Sequence, residues 1–508
     1  MKETRNRKIL LIRPRNFLSI NNYPPLSLIL IGTSLENAGY DVEIFNASNY
    51  DNYLDDIKKR LSEDVILVGI TVLTTEVADA IKISKYIKQI TSIPIVWGGW
   101  HATLFPEQIA HSGFVDYVIP GEGDSAIVTL AEQVNNKNKP PAKIIFSQIY
   151  LNIDKLPLPN YSLVREMDDF ISRPLADKFQ ESLAYPIRWL PYQSSRGCPG
   201  ECNFCINVVT DNQCYRAKSA EKVVDELETL AKRYGVNHFK IIDDNFFVLK
   251  ERVKKICELI IAKRLKFTWD GECRVDYFRD DFIDNNLLKL LKISGLAQLV
   301  LGIESGSEKT LAYLNKGIEI KDADRAIKDL NRYGIISDCS FIVGIPGETE
   351  ADIRKTADFI NEHRKFDTFI CGVQTYRPYP KSKIALQLIK DGKLKEPDNL
   401  EEWAQERNVS LYTYVDAYRP WIQDYKFSMK ISYYHSLASG VWLYQHQLDN
   451  IFDKMINRFF QRIAYFRTKY YFFLFPLDRK IYSYFQIRIY RRIERMEKER
   501  IFAFRGQK

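Results

Sequence analysis

Two series of short apolar runs alternate with amphipathic stretches, separated by a proline-rich segment, and this rhythm limits the folds open to the 508-residue chain. The first series starts at Lys8-Ile-Leu-Leu-Ile-Arg13 and continues at Val42–Phe45, Val65–Val72, Ile93–Trp97 and Tyr117–Ile119. Helical patterns fill the gaps at Leu26–Tyr40, Asp51–Leu61, Glu76–Ile90, Pro106–His111 and Asp124–Gln133. Strands that alternate with helices at this pace pair in parallel, because each crossover returns the chain to the same end of the sheet. Residues 1–140 therefore read as a doubly wound parallel α/β sheet, whose ligands sit outside the C-terminal strand ends. Residues 141–187 carry Pro157, Pro159, Pro174 and Pro186 and read as an extended linker, since proline at this density opposes long helices.

The second series occupies residues 188–395. Strand-like runs lie at Pro191–Ser195, Phe239–Asn245, Lys266–Arg274, Ala297–Ser305, Asp338–Glu348 and Thr368–Tyr376, with helical patterns between them. Six units at about 35-residue spacing give the pitch of a β/α barrel with fewer than its eight units. Polar residues collect at the strand ends, among them Asp243, Asp244, Glu272, Arg274, Glu304, Ser305 and Glu348. Residues 396–508 form a helical, aromatic extension.

The first barrel strand runs into Arg196-Gly-Cys198-Pro-Gly-Glu-Cys202-Asn-Phe-Cys205. Three thiolates in one tight loop can face one centre but bring no fourth sulfur. A cubane takes one thiolate per iron, so three ligands leave one iron open, as catalytic metal sites require. Two other readings compete: a closed zinc site with Cys214 as a remote fourth ligand, and plain buried thiols. Zinc sites usually combine two C-x2-C-like pairs, which this chain lacks. Cys257, Cys273, Cys339 and Cys371 fall inside apparent helices or strands and read as small core residues.

The pattern C-x3-C-x-aromatic-C resembles the cluster loop of the radical S-adenosylmethionine (SAM) superfamily. That resemblance implies a [4Fe-4S] cluster on Cys198, Cys202 and Cys205, SAM chelated by the open iron, and Phe204 near the adenine. It carries SAM contacts to Glu304 and Ser305, to Gly344, Ile345 and Glu348 of a G-x-I-P-G-E segment, and to Arg274. A helix N-cap after a strand is the alternative role for each.

The first series ends its strands in Thr71-Val-Leu73-Thr74-Thr, Gly98-Gly99-Trp-His101 and Pro120-Gly121-Glu122-Gly. Such glycines let backbone approach a large flat ligand, although ordinary βα loops use the same residues. Thr71-Val72-Leu73 resembles the S-x-L element of cobalamin-binding domains, and Gly98-Gly99 resembles their G-G. Gly98–Glu107 is similar to the matching stretch of cobalamin-dependent radical SAM enzymes. The D-x-H-x-x-G element is missing, so no histidine is assigned below cobalt; His101 reads as a packing or orienting residue before a ligand.

Together the resemblances imply reductive SAM cleavage to a 5′-deoxyadenosyl radical, fed by a flavodoxin- or ferredoxin-type donor. The implied outcome is methylation of an unactivated carbon in a small-molecule or lipid-like substrate. An oxidative cyclisation or rearrangement of the anaerobic porphyrin cyclase type, and a non-catalytic cluster or zinc protein, stand as alternatives.

Charge separates the tail from the body. Met455–Lys508 holds 14 Lys/Arg against 4 Asp/Glu, so of the net +8 the tail carries +10 and the rest −2. The same stretch has 15 Phe/Tyr. Basic plus aromatic residues suit a membrane surface or an anionic apolar substrate; helices packing aromatic faces onto the barrel are the plainer reading. Without an RNA-binding module, nucleic acid is not expected. No export segment or apolar run of bilayer-spanning length is evident, so a cytoplasmic protein, peripheral to a membrane at most, is expected.

Overall fold

The computed structural model describes residues 7–16, 23–138, 140–147, 152–172, 187–210, 214–411, 418–441, 448 and 450–505. Strands β1 (Lys8–Arg13), β2 (Asp41–Asn46), β3 (Val65–Thr71), β4 (Ile95–Gly98) and β5 (Tyr117–Val118) form one parallel sheet in the order β2-β1-β3-β4-β5. The β1 sequence KILLIR is apolar without alternation because helices cover both faces of the sheet. The chain reverses direction across the sheet between β1 and β3, and ligands enter doubly wound sheets beside such a switch.

A second sheet comprises β6 (Trp189–Tyr192), β9 (His238–Ile241), β10 (Thr268–Arg274), β11 (Leu296–Glu304), β12 (Ile336–Val343) and β13 (Phe369–Thr375). These six pair in parallel and in chain order, the open partial barrel expected from the spacing. A two-residue antiparallel clip, β7 (Ser195–Arg196) with β8 (Arg216–Ala217), brackets the cysteine loop.

The edge at β13 is covered by the helix Tyr425–Ser439. Its Ser432 hydroxyl donates to the Val373 carbonyl at 2.6 Å, and Ser436 Oγ accepts from the Val373 N–H at 3.0 Å. Groups that would template another strand are thus satisfied within the chain. The linker is no loose tether where it is described. Tyr161 is fully buried and donates to the Pro191 carbonyl, and Val164 bridges to Ile44 of β2. One apolar core runs from Ile9 and Leu11 through Tyr161 and Phe170 to Leu190 and Phe239, joining the two sheets. The other face of the first sheet packs against Ile345, Tyr376, Trp403 and Trp421. Cys257, Cys273, Cys339 and Cys371 are buried, as their positions suggested.

Candidate active site where the two sheets meet

The base of the cysteine loop is locked before the first thiol. Asp243 Oδ1 accepts from the Ser194 N–H at 2.6 Å, and Oδ2 accepts from the Ser195 hydroxyl at 2.6 Å. Arg252 donates to the carbonyls of Lys218 and Ser194, at 2.6 and 3.0 Å. Gly197 then turns with φ +80°, and a Cβ there would lie 2.1 Å from the Cys214 carbonyl oxygen, so only glycine fits.

The thiols sit among donors. The Gly200 N–H reaches Cys198 Sγ at 3.4 Å and the Asn245 amide reaches it at 3.7 Å. Arg274 Nη1 lies 3.7 Å from Cys202 Sγ. A Cβ on Gly200 would come within 3.4 and 3.9 Å of the Cys198 and Cys202 sulfurs, so glycine keeps the loop interior clear. Burial, with Cys202 and Cys198 adding to it, pushes the Cys205 thiol up to about 11, while Lys316 pulls the other way. Among the described residues no three His, Cys, Asp or Glu converge closely enough for one metal ion. A cubane spaces its thiolates with its own sulfides, and donors aimed at those sulfurs suit it. Cys214 is exposed, and its carbonyl lies against Gly197 of the loop.

Beside the thiols lies a group that the sequence did not single out. Lys316 is buried, pairs with Glu304 at 2.8 Å, and holds its ammonium 5.6 Å from the Phe204 ring centroid. Glu304 ends β11 with φ +69°, and the Lys316 turn is flanked by Asn315 at +50° and Gly317 at +70°. Arg274 closes the group by donating to the Lys316 carbonyl at 2.6 Å. Phe204, Arg274 and Glu304 are therefore brought to the cysteines. The Asn315-Lys316-Gly317 turn was the available signal for the lysine, since a short run of turn residues in a barrel loop marks a special backbone.

The other expected SAM residues are engaged within the fold. Ser305 Oγ lies 3.1 Å from Thr356 Oγ1. Glu348 Oε2 accepts from the Gly344 and Ile345 N–H groups at 2.7 and 3.3 Å, and burial raises its carboxyl to about 7. Ile345 is buried in the apolar cluster. On β10, Glu272 remains open to solvent yet is surrounded by protein, which with nearby Asp244 raises it to about 7.

In the first sheet the ends of β3, β4 and β5 adjoin. Gly99 has φ +92°, and its Cβ would lie 2.9 Å from Thr71 Oγ1, so the close approach it permits is to the protein itself. Gly121 is open, with no atom within 4 Å of a Cβ there, and a Cβ on Gly98 would touch only the Ile119 carbonyl oxygen at 3.7 Å. That bare backbone fits a broad flat ligand. The Leu73 N–H donates to Glu76 at 3.0 Å, and Thr74 Oγ1 lies 3.4 Å from His101 Nδ1. His101 is fully buried between Phe105 and Trp403, with ring centroids 5.0 and 5.4 Å away, and burial holds its imidazole neutral, down at about 3. Glu122 accepts from Arg216 at 3.0 Å and pairs with Arg196 at 3.3 Å, tying the β5 loop to the clip around the cysteines.

Residues 192–360 match the Radical SAM superfamily and residues 19–131 match the B12 binding domain. An uncharacterized methyltransferase of Pyrococcus horikoshii is 29% identical over 74% of this chain and 82% of its own length. The anaerobic magnesium-protoporphyrin IX monomethyl ester cyclase of Rubrivivax gelatinosus is 26% identical over 72% of this chain and 66% of its own. The fold is shared with the cobalamin-dependent S-adenosylmethionine radical enzyme OxsB, solved with aqua-cobalamin, at TM-score 0.63 and 16% identity, covering 98% of this chain and 81% of that one. With both domains matched and three cysteines poised at the first barrel strand, the chain belongs to the cobalamin-dependent radical SAM enzymes, whose cofactors are a [4Fe-4S] cluster, SAM and cobalamin.

Proposed function

We propose that this enzyme methylates an unactivated carbon of a lipid-like substrate, drawing electrons from an external flavodoxin- or ferredoxin-type donor. The observation that carries the proposal is the salt-bridged seam between the halves. Arg196 and Arg216, which bracket the cysteine loop, are held by Asp124 and Glu122 at the end of the cobalamin-side sheet. That seam faces the two sets of strand ends toward each other, as transfer between two cofactors on one substrate carbon requires. When bound, SAM at the reduced cluster supplies a radical that takes a hydrogen atom from the substrate, and cobalamin supplies the methyl group.

The chain's own residues bind and orient. Cys198, Cys202 and Cys205 hold the cluster, and Arg274 offsets the negative charge of the Cys202 thiolate. Lys316 and Glu304 present opposite charges beside Phe204, a pair suited to the amino and carboxylate groups of SAM. The bare backbone at Gly121, with Gly98 beside it, would receive the cobalamin ring. Glu272, solvent-accessible on β10, would offer the substrate a carboxyl.

The likeness to the porphyrin cyclase favours a second reading, oxidative cyclisation without methyl transfer. Anaerobic incubation of the loaded enzyme with deuteromethyl-SAM and an extract of its native cells separates the two. Label in a carbon-methylated product supports the proposal. Deoxyadenosine formed with unlabelled product supports the cyclase reading.

A further inference from the structure

The helices Ile451–Tyr470 and Leu477–Arg505 pack through a mixed buried side, in which Phe460, Ala464, Tyr482, Phe485 and Ile489 sit among polar groups. Along the first, Asp453, Asn457, Arg467 and Thr468 are buried. Asn457 Oδ1 accepts from the Tyr482 hydroxyl at 2.6 Å, Arg467 pairs with Asp478 at 2.8 Å, and Asp453 pairs with Arg492 at 2.9 Å and with Arg488. The opposite face carries Phe452, Met455, Phe459 and Phe466, all exposed, with Phe452 at 72%. A helix side that faces only water would carry polar residues in those positions.

The apolar face continues around the turn. Leu474 and Phe475 project from it, Phe475 at 79% exposure, and Leu477, Ile481 and Tyr484 extend the stripe one helical turn at a time. Exposed apolar surface this continuous marks an interaction site. Its charge identifies the partner. Residues 451–492 contain ten Lys/Arg and only two acidic residues, Asp453 and Asp478, both turned inward onto arginines. The outward charge is therefore positive, with Arg458, Arg462, Lys469 and Lys480 exposed among the aromatics.

We infer that this helical hairpin docks the enzyme on an anionic lipid bilayer, with the Leu474-Phe475 turn entering the headgroup region. Apolar stripes rimmed by cations lie in the membrane interface in this way. No helix among the described residues is long and apolar enough to cross a membrane, so the hairpin rests on the surface. A second copy of the same cationic face would be repelled, and Met455, Leu474, Leu477 and Ile481 add exposed apolar surface that base stacking would not use.

Flotation of the cluster- and cobalamin-loaded protein with vesicles tests the inference. The protein is expected to float with phosphatidylcholine vesicles containing about one-third phosphatidylglycerol, at least about tenfold more than with phosphatidylcholine alone, and to release in high salt. The double substitution Leu474→Glu/Phe475→Glu is expected to lower that binding about tenfold or more with iron content and melting temperature unchanged, since both side chains are already in water. Lys469→Glu/Lys480→Glu is expected to abolish the preference for anionic vesicles. No flotation, equal flotation of both variants, or a dimer in light scattering that the Leu474/Phe475 substitution dissolves would overturn it.

Discussion

Arg196 donates to both carboxylate oxygens of Asp124, at 2.7 and 3.2 Å, so the residue two before Cys198 is pinned to the opposite sheet. The pair is nearly dry, and Asp124 and Glu122 hold the guanidinium charged against the cost of burial. Asp124→Ala leaves Arg196 with the 3.3 Å contact to Glu122 and the 3.1 Å hydrogen bond it donates to Gln193 Oε1. Because a buried charge then loses its best partner, a loss of about 2–4 kcal/mol in urea unfolding is expected. Glu401→Ala, which removes the exposed partner of Lys85, is the control and should change stability by less than about 1 kcal/mol.

Lys316 and Glu304 provide a second separable pair. Lys316→Met alone strands the Glu304 carboxylate in a buried position, at an expected cost of about 3 kcal/mol. Adding Glu304→Gln removes the stranded charge and should restore most of that stability. SAM affinity measured by calorimetry should stay reduced in the double variant by tenfold or more. Recovery of affinity along with stability would reduce the pair to a structural role.

Glu348 sets one pH limb. Its carboxyl is raised from 4.5 to about 7, so the folded protein keeps a proton that the unfolded chain releases. Its contribution is most favourable below pH 4.5 and is lost as pH rises toward about 7, roughly 3 kcal/mol in all. Glu348→Gln should flatten this fall when unfolding free energies at pH 5 and pH 8 are compared. His101 acts oppositely: its pKa drops from 6.5 to about 3, so the stability of its neutral, buried state is lost as pH falls through that window.

The parallel strands, the six-unit barrel and the cysteine loop were legible in the sequence because each is a local pattern: period, spacing, or ligands within eight residues. The seam was not, since Arg196 and Asp124 lie 72 residues apart and only the docked sheets bring them together. Glu122 read as a ligand-facing loop residue for the same reason, its arginine partner being 94 residues away. Helical spacing found the C-terminal helices but not their orientation. Aromatic faces were expected to pack on the barrel, and Phe460, Phe473, Tyr482 and Phe485 do join its core; Asp453 and Arg467 turn inward beside them, neutralised by partners on the next helix, while a second apolar row stays exposed.

The proposed cluster ligands can be checked one at a time. Cys198→Ala, Cys202→Ala and Cys205→Ala should each lower iron content after anaerobic reconstitution by most of one cluster per chain. Cys214→Ala should retain full iron, because that residue is exposed and lies outside the C-x3-C-x2-C loop.

The most direct test is the yield of 5′-deoxyadenosine when the iron- and cobalamin-loaded protein is reduced with SAM in the absence of oxygen. Deoxyadenosine is expected from the wild-type chain and from Cys214→Ala, and none above background from Cys205→Ala. No deoxyadenosine from the wild type, or an undiminished yield from Cys205→Ala, would contradict a radical SAM centre on Cys198, Cys202 and Cys205.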